Sequence, residues 1–103
     1  MALYSIDALT LKHWLDNNEA VLVDVREPEE YAQANIPGAT LVPLDTVTLS
    51  RLPAHDEKKL VLHCKAGYRS ANACMKLLAE DPSLDVYNLE GGIMAWQTLP
   101  ANV

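Results

Sequence analysis

Leu60-Val61-Leu62-His63-Cys64-Lys65-Ala66-Gly67-Tyr68-Arg69-Ser70 reads as a buried strand, a tight loop and the opening of a helix. The apolar run ahead of the loop suits a parallel strand covered on both faces. From Ser70 onward, Ala71, Cys74, Met75 and Leu78 recur at helical spacing, which predicts a helix running to about Glu80 with these residues on its buried face. Cys64 falls where strand gives way to loop.

The same alternation extends outward. Val21-Leu22-Val23-Asp24-Val25 is a second apolar strand, and Leu3-Tyr4-Ser5, Leu41-Val42 and Val86-Tyr87 are weaker ones. A helix fits Ala8 to Asn17, capped by Asp7, with Ala8, Leu11, Trp14 and Leu15 on one face. Another fits Pro28 to Ala34, with Pro28 in its first turn. Short apolar strands alternating with helices predict an α/β fold of three layers: a mainly parallel sheet of about five strands with helices on both faces. In such sheets the site lies at the C-terminal ends of the strands.

The chain has 103 residues, no internal repeat and no low-complexity linker, which predicts a single domain over residues 1–103. Its net charge of -6 argues against nucleic acid and anionic membrane surfaces as partners. No run approaches the ~20 apolar residues of a membrane span, and the N-terminus has no basic leader ahead of an apolar segment. Two cysteines cannot build a disulfide framework, so a reducing, cytoplasmic location is expected.

Chemistry concentrates around Cys64. The helix N-terminus and the loop amides converge on its sulfur, and both favour the thiolate. Gly67 lets the backbone turn tightly around an attached atom. Lys65 and Arg69 bring two of the eight basic residues to a loop of an otherwise acidic chain, a local attraction for a small anion.

The loop resembles the active loop of the rhodanese family, C-x-x-G-x-R-[ST], matched by Cys64, Gly67, Arg69 and Ser70. Asp24-Val25-Arg26-Glu27-Pro28-Glu29-Glu30-Tyr31 and Ile36-Pro37-Gly38-Ala39 resemble that family's D-x-R-x-x-x-E-[FY] and I-P-G-A segments, and Leu89-Glu90-Gly91-Gly92-Ile93-Met94-Ala95-Trp96 resembles its closing motif. The likeness runs from about Tyr4 to Trp96. One departure is Ala34-Asn35, where the family commonly has Gly-His before I-P-G; Asn retains hydrogen-bonding capacity in a turn.

The resemblance implies a ping-pong sulfurtransferase. Cys64 takes the outer sulfur of a small anionic donor such as thiosulfate, forms a persulfide and passes the sulfur to cyanide or another thiol. It implies no metal and no organic cofactor. Cys64 is the expected nucleophile, and Lys65, Ala66, Gly67, Tyr68, Arg69 and Ser70 form the expected donor-binding loop. Lys65 and Arg69 are expected to hold the donor's oxygens and Tyr68 to line the entrance.

Other residues have structural explanations. His63 neighbours the nucleophile in sequence but points to the opposite face of a strand. Cys74 falls on the apolar stripe of the following helix. Asp24, Arg26 and Glu30 are expected to form a structural ion pair tying strand to helix. Trp14 and Trp96 suit packing, and Ile36-Pro37-Gly38 suits a turn with Pro second and Gly third. His13 and His55 have no partner at metal-ligand spacing.

Other functions compete. Cysteine-loop phosphatases and arsenate reductases resemble C-x-x-x-x-x-R, whereas only Lys65, Ala66, Gly67 and Tyr68 separate Cys64 from Arg69, giving a smaller cradle. Two more readings are a non-enzymatic binding module and a relay in which a partner protein supplies or accepts the persulfide.

Overall fold

The computed structural model describes residues 2–103. Its strands are β1 (Ala2–Ile6), β2 (Ala20–Asp24), β3 (Thr40–Leu41), β4 (Lys59–His63) and β5 (Asp85–Leu89). They form one sheet in the order β1-β5-β4-β2-β3, and every pairing is parallel. The two most apolar strands therefore lie side by side near the centre, where both faces are covered.

Four helices pack around this sheet: α1 (Ala8–Asp16), α2 (Pro28–Gln33), α3 (Tyr68–Glu80) and α4 (Gly92–Gln97). Asp7 caps α1, its carboxylate accepting from the Thr10 N–H at 2.8 Å, and so satisfies one of the free donors of the first turn. At the start of α2, Pro28 occupies the first turn and the Glu27 N–H donates to Glu30 Oε1 at 2.9 Å.

Side-chain alternation along the strands divides the core in two. Val23 and Val25 of the β2 segment, Leu60 and Leu62 of β4, and Val86 of β5 join Cys64 on one face, against Ala73, Cys74 and Leu77 of α3. Ala20, Leu22, Val61 and Leu89 face the other way, against Ala8 and Leu11 of α1 and Ile93 of α4. Burying a leucine such as Leu62, fully enclosed here, contributes about 1.5–3 kcal/mol.

The structure amends the expected helices. α3 opens at Tyr68 rather than Ser70, because Gly67, at φ 111°, turns the chain directly into it. Its buried stripe is Ser70, Ala73, Cys74 and Leu77; Met75, expected on that face, is 62% exposed. Rotating the helix in this way seats small residues against the sheet beside the loop. α4, absent from the sequence expectation, follows the tight Gly91-Gly92 turn. Two single turns of 3-10 helix, Leu44–Thr46 and Leu49–Arg51, pack Leu44 and Leu49 against the core on the α3 face.

The expected Ile36-Pro37-Gly38 turn is present, closed by the Ala39 N–H donating to the Ile36 carbonyl at 3.0 Å. Asn35 bonds back to the Tyr31 carbonyl at 3.1 Å, and the Tyr31 hydroxyl reaches the Ala39 carbonyl at 3.0 Å. A neutral side chain thus holds the corner where the family commonly has an imidazole. Among the described residues, no helix is long and apolar enough to cross a membrane.

Candidate active site

Cys64 follows the last residue of β4, at the C-terminal edge of the sheet, and its loop folds back over it. The Gly67 N–H donates to Cys64 Sγ at 3.1 Å, and Ser70 Oγ lies 3.4 Å from the same sulfur. Cys64 is 1% exposed, and this burial works against ionisation. The Ser70 hydroxyl and the backbone N–H groups of Ser70, Gly67 and Ala66 outweigh it, so the thiol titrates below its ordinary value. The groups that favour the anionic form are mainly dipoles, hydroxyl and N–H donors facing the sulfur.

The loop rests on α4. The Ile93 N–H donates to the Cys64 carbonyl at 2.9 Å and the Met94 N–H to the Lys65 carbonyl at 3.2 Å. Only a residue without Cβ allows this approach, since a Cβ on Gly92 would meet both carbonyl oxygens at 2.4 Å. The closing motif is therefore the floor under the cysteine loop, and it frees the loop's N–H groups to face sulfur.

Arg69 is placed differently from the expectation. Its Nη1 and Nη2 bind Glu30 Oε1 and Oε2 at 2.7 and 2.9 Å, a two-bond fork between α3 and α2. Arg69 thereby braces the loop, and its charge still acts on Cys64. The Arg69 guanidinium brings the Glu30 carboxyl down to about 2 against the cost of partial burial, with help from the Glu27 N–H.

The expected grouping of Asp24, Arg26 and Glu30 is corrected accordingly. Arg26 forks onto Asp24, with Nη2 at 2.7 Å from Oδ2 and Nε at 3.0 Å from Oδ1, and Nη2 also reaches the Ala34 carbonyl at 2.7 Å. Glu30 belongs to Arg69 instead, because the first turn of α2 directs it toward α3.

His63 has the structural placement expected of it. It is buried, with Nδ1 3.1 Å from the Cys64 carbonyl and Nε2 3.5 Å from Asp24 Oδ2. Burial holds its pKa below the usual value even though the Asp24 charge and the carbonyl pull the other way. Cys74 is also buried, and burial pushes its thiol up to about 12.

Lys65 is exposed and lines a cleft of about 250 Å³ with Arg26, Glu30, Gln33, Ala34, Ile93, Met94 and Gln97. Tyr68, expected at the entrance, is 82% exposed and stands apart from that lining. A larger hollow of about 440 Å³ is bounded by Asn18, Glu19 and Asp56 to Lys59. It lies at the N-terminal ends of β2 and β4, the opposite edge of the sheet from Cys64.

One site residue has no counterpart in the sequence expectation. Asn88 of β5 donates from Nδ2 to the Gly67 carbonyl at 3.0 Å, and its Oδ1 receives the Ser70 hydroxyl. The only sequence signal for it is parity with Val86, which places both on the α3 face of the sheet.

The chain and its fold are similar to those of known proteins. A sulfurtransferase of Allochromatium vinosum is 36% identical over 92 residues, covering 88% of this chain and 85% of that protein. The thiosulfate sulfurtransferase GlpE of Pseudoalteromonas translucida is 27% identical, over 94% of this chain and 91% of its own. The crystal structure of a rhodanese-like domain protein from Staphylococcus aureus superposes with a TM-score of 0.75 at 34% identity, covering 90% of each chain. The Rhodanese-like domain model matches residues 7–99, a span that includes the cysteine loop, its α4 floor and the Glu30 brace, and the chain belongs to that family.

Proposed function

We propose that the protein is a sulfurtransferase that carries sulfane sulfur on Cys64. The observation that carries this reading is the cradle itself: a thiol below its ordinary pKa, facing the Gly67 N–H and the Ser70 hydroxyl. Cys64 is the nucleophile, and Lys65, Ala66, Gly67, Tyr68, Arg69 and Ser70 form the loop that receives the donor.

With thiosulfate as donor, the Cys64 thiolate attacks the outer sulfur. The Cys–S bond forms, the sulfur–sulfur bond of thiosulfate breaks, and sulfite leaves with that electron pair. The terminal sulfur of the persulfide is anionic and occupies the place where loop N–H groups converge, so charge is met where it develops. A thiophilic acceptor such as cyanide then attacks the terminal sulfur, leaves as thiocyanate and returns the thiolate. Both steps conserve charge and need no external oxidant.

Lys65, exposed on the loop next to Cys64, is the cation that steers the anionic donor, whereas Arg69, already forked onto Glu30, acts through its field. The small size of the loop favours a sulfur atom over a tetrahedral phosphoryl group.

The experiment is intact mass of the reduced protein before and after thiosulfate, beside Cys64→Ser. A gain of one sulfur on the wild type, absent in the variant and reversed by cyanide, is the expected result. No gain with thiosulfate or with a low-molecular-weight persulfide overturns the sulfur-carrier role. For Lys65→Ala, a raised KM for thiosulfate with kcat retained is expected; equal activity at limiting thiosulfate removes Lys65 from donor binding.

A further inference from the structure

Ser70 has one hydroxyl hydrogen and three acceptors within reach. The nearest is Asn88 Oδ1, with the Gly67 carbonyl at 3.3 Å and Cys64 Sγ at 3.4 Å. The far end of Asn88 fixes which atom faces the serine. Its Nδ2 lies 3.0 Å from the Gly67 carbonyl, a group that only accepts, so the amide must present Oδ1 to Ser70. Oδ1 in turn only accepts, so the short contact is donated by Ser70. While that bond is made, Ser70 offers Cys64 lone pairs alone.

We propose that Asn88 is a positioning residue for the Cys64 sulfur, holding the Ser70 proton while the sulfur is a neutral thiol and yielding it when the sulfur becomes anionic. The proposal rests on the reading of Cys64 as the sulfur carrier. An anionic sulfur outbids a neutral amide oxygen for a donor, because charge-assisted hydrogen bonds are roughly twice as strong as neutral ones. Rotation about the Ser70 Cβ–Oγ bond transfers the hydrogen between acceptors without moving any heavy atom. Ser70 is fully buried, which confines the choice to protein acceptors.

The fold supplies the geometry. Asn88 pairs with Leu62 across the β4–β5 register, so it shares the α3 face with Leu62 and with Cys64 beyond it. Its Nδ2 holds the Gly67 carbonyl while the Gly67 N–H donates to the sulfur. One amide therefore sets both the loop conformation and the direction of its hydroxyl donor.

Other charges around the sulfur come from several elements. The Arg69 guanidinium and the Cys74 thiol of α3 act on Cys64 electrostatically. Glu30 of α2 is taken up by Arg69, Lys65 is exposed on the loop, and His63 of β4 is directed to Asp24. The Asn88 side chain contacts Ser70 and Gly67, so a change in the Cys64 titration reports either the hydroxyl proton or the loop, and the Ser70→Ala background tells the two apart.

The test is a double-mutant cycle read as the pH midpoint of Cys64, followed by its 13Cβ resonance, in wild type, Asn88→Ala, Ser70→Ala and the double variant. Asn88→Ala is expected to lower the midpoint by about one unit, tenfold more thiolate at pH values well below it. In the Ser70→Ala background the same change is expected to have no such effect. A shift of equal size in both backgrounds, or a rise, overturns the proposal, since a loop loosened by loss of the Gly67 contact would act without Ser70.

A wild-type measurement guards against variants that fail to fold. The Asn88 13Cγ resonance is expected to move with the Cys64 midpoint as its hydroxyl donor leaves, and a resonance unmoved through that transition overturns the proposal. Persulfide formation from thiosulfate is scored separately. Coupling between Asn88 and Cys64 without sulfur uptake supports the proton arrangement and overturns the transfer reading instead.

Discussion

Arg69 and Glu30, 39 residues apart in sequence, meet through two parallel hydrogen bonds of 2.7 and 2.9 Å. This fork ties the first turn of α3, which carries the cysteine loop, to the first turn of α2. It also orients a loop cation whose charge bears on Cys64, without leaving it free to swing into solvent.

Glu30→Gln is expected to lower stability at neutral pH by roughly 1 kcal/mol, a modest value because both side chains are about a third exposed. The pH dependence has a definite sign. Folding lowers the Glu30 pKa from 4.5 to about 2, so the stabilisation is present above 4.5 and is lost as pH falls toward 2. Thermal melts of wild type and variant should converge across that window. A gap that persists unchanged at the acid end would mean that the carboxylate's charge is not what holds the fork.

The two cysteines should separate cleanly in reactivity. Cys64 titrates below an ordinary thiol, while burial pushes Cys74 up to about 12. Brief treatment with a small alkylating reagent near neutral pH, read by peptide mass, should give one adduct on Cys64 and none on Cys74. Modification of Cys74 first would contradict the electrostatic assignment of both.

The central strands and the cysteine loop were legible because their signals are local. Val21 to Val25 and Leu60 to Cys64 are near-continuous apolar runs, and Cys64, Gly67, Arg69 and Ser70 stand close enough to be read together. α4 was not legible. Six residues, the first of them the second glycine of a pair, show too little periodicity to register as a helix. The partners of Glu30 and Asn88 are set by tertiary packing, with nothing in the local sequence to choose Arg69 over Arg26 or to give a neutral amide a task. Met75 misled because an apolar stripe of Ala71, Cys74, Met75 and Leu78 competes with the stripe of small residues, Ser70, Ala73 and Cys74, that the sheet selects.

Asp24 and Arg26 offer a sharper stability test than the exposed fork, since their side chains are 0% and 5% exposed. Arg26→Met strands a buried carboxylate and releases the Ala34 carbonyl, at a cost of about 3–5 kcal/mol. Replacing both partners, Asp24→Leu with Arg26→Met, removes the unpaired charge and should cost less than Arg26→Met alone. Urea unfolding of the single and double variants checks the order. A double variant weaker than the single would show that the pair's hydrogen bonds, rather than the stranded charge, dominate.

Gly92 links fold and chemistry most directly. An added Cβ would lie 2.4 Å from the carbonyl oxygens of both Cys64 and Lys65, and both are backbone atoms that no side-chain rotation can move aside. The residue also sits at φ 57°, a conformation that costs an L side chain about 1 kcal/mol or more. Gly92→Ala must therefore push α4 off the loop and lengthen the Ile93 and Met94 hydrogen bonds to those carbonyls. Freed carbonyls can turn toward sulfur in place of N–H groups, so the variant is expected to raise the Cys64 pKa as well as to melt earlier, by at least about 2 kcal/mol. The paired readouts are a thermal melt and the pH profile of Cys64 alkylation. A variant that melts early with an unchanged Cys64 profile would show that the cradle keeps its shape without its floor, and would move the origin of the low thiol pKa to the α3 side of the loop.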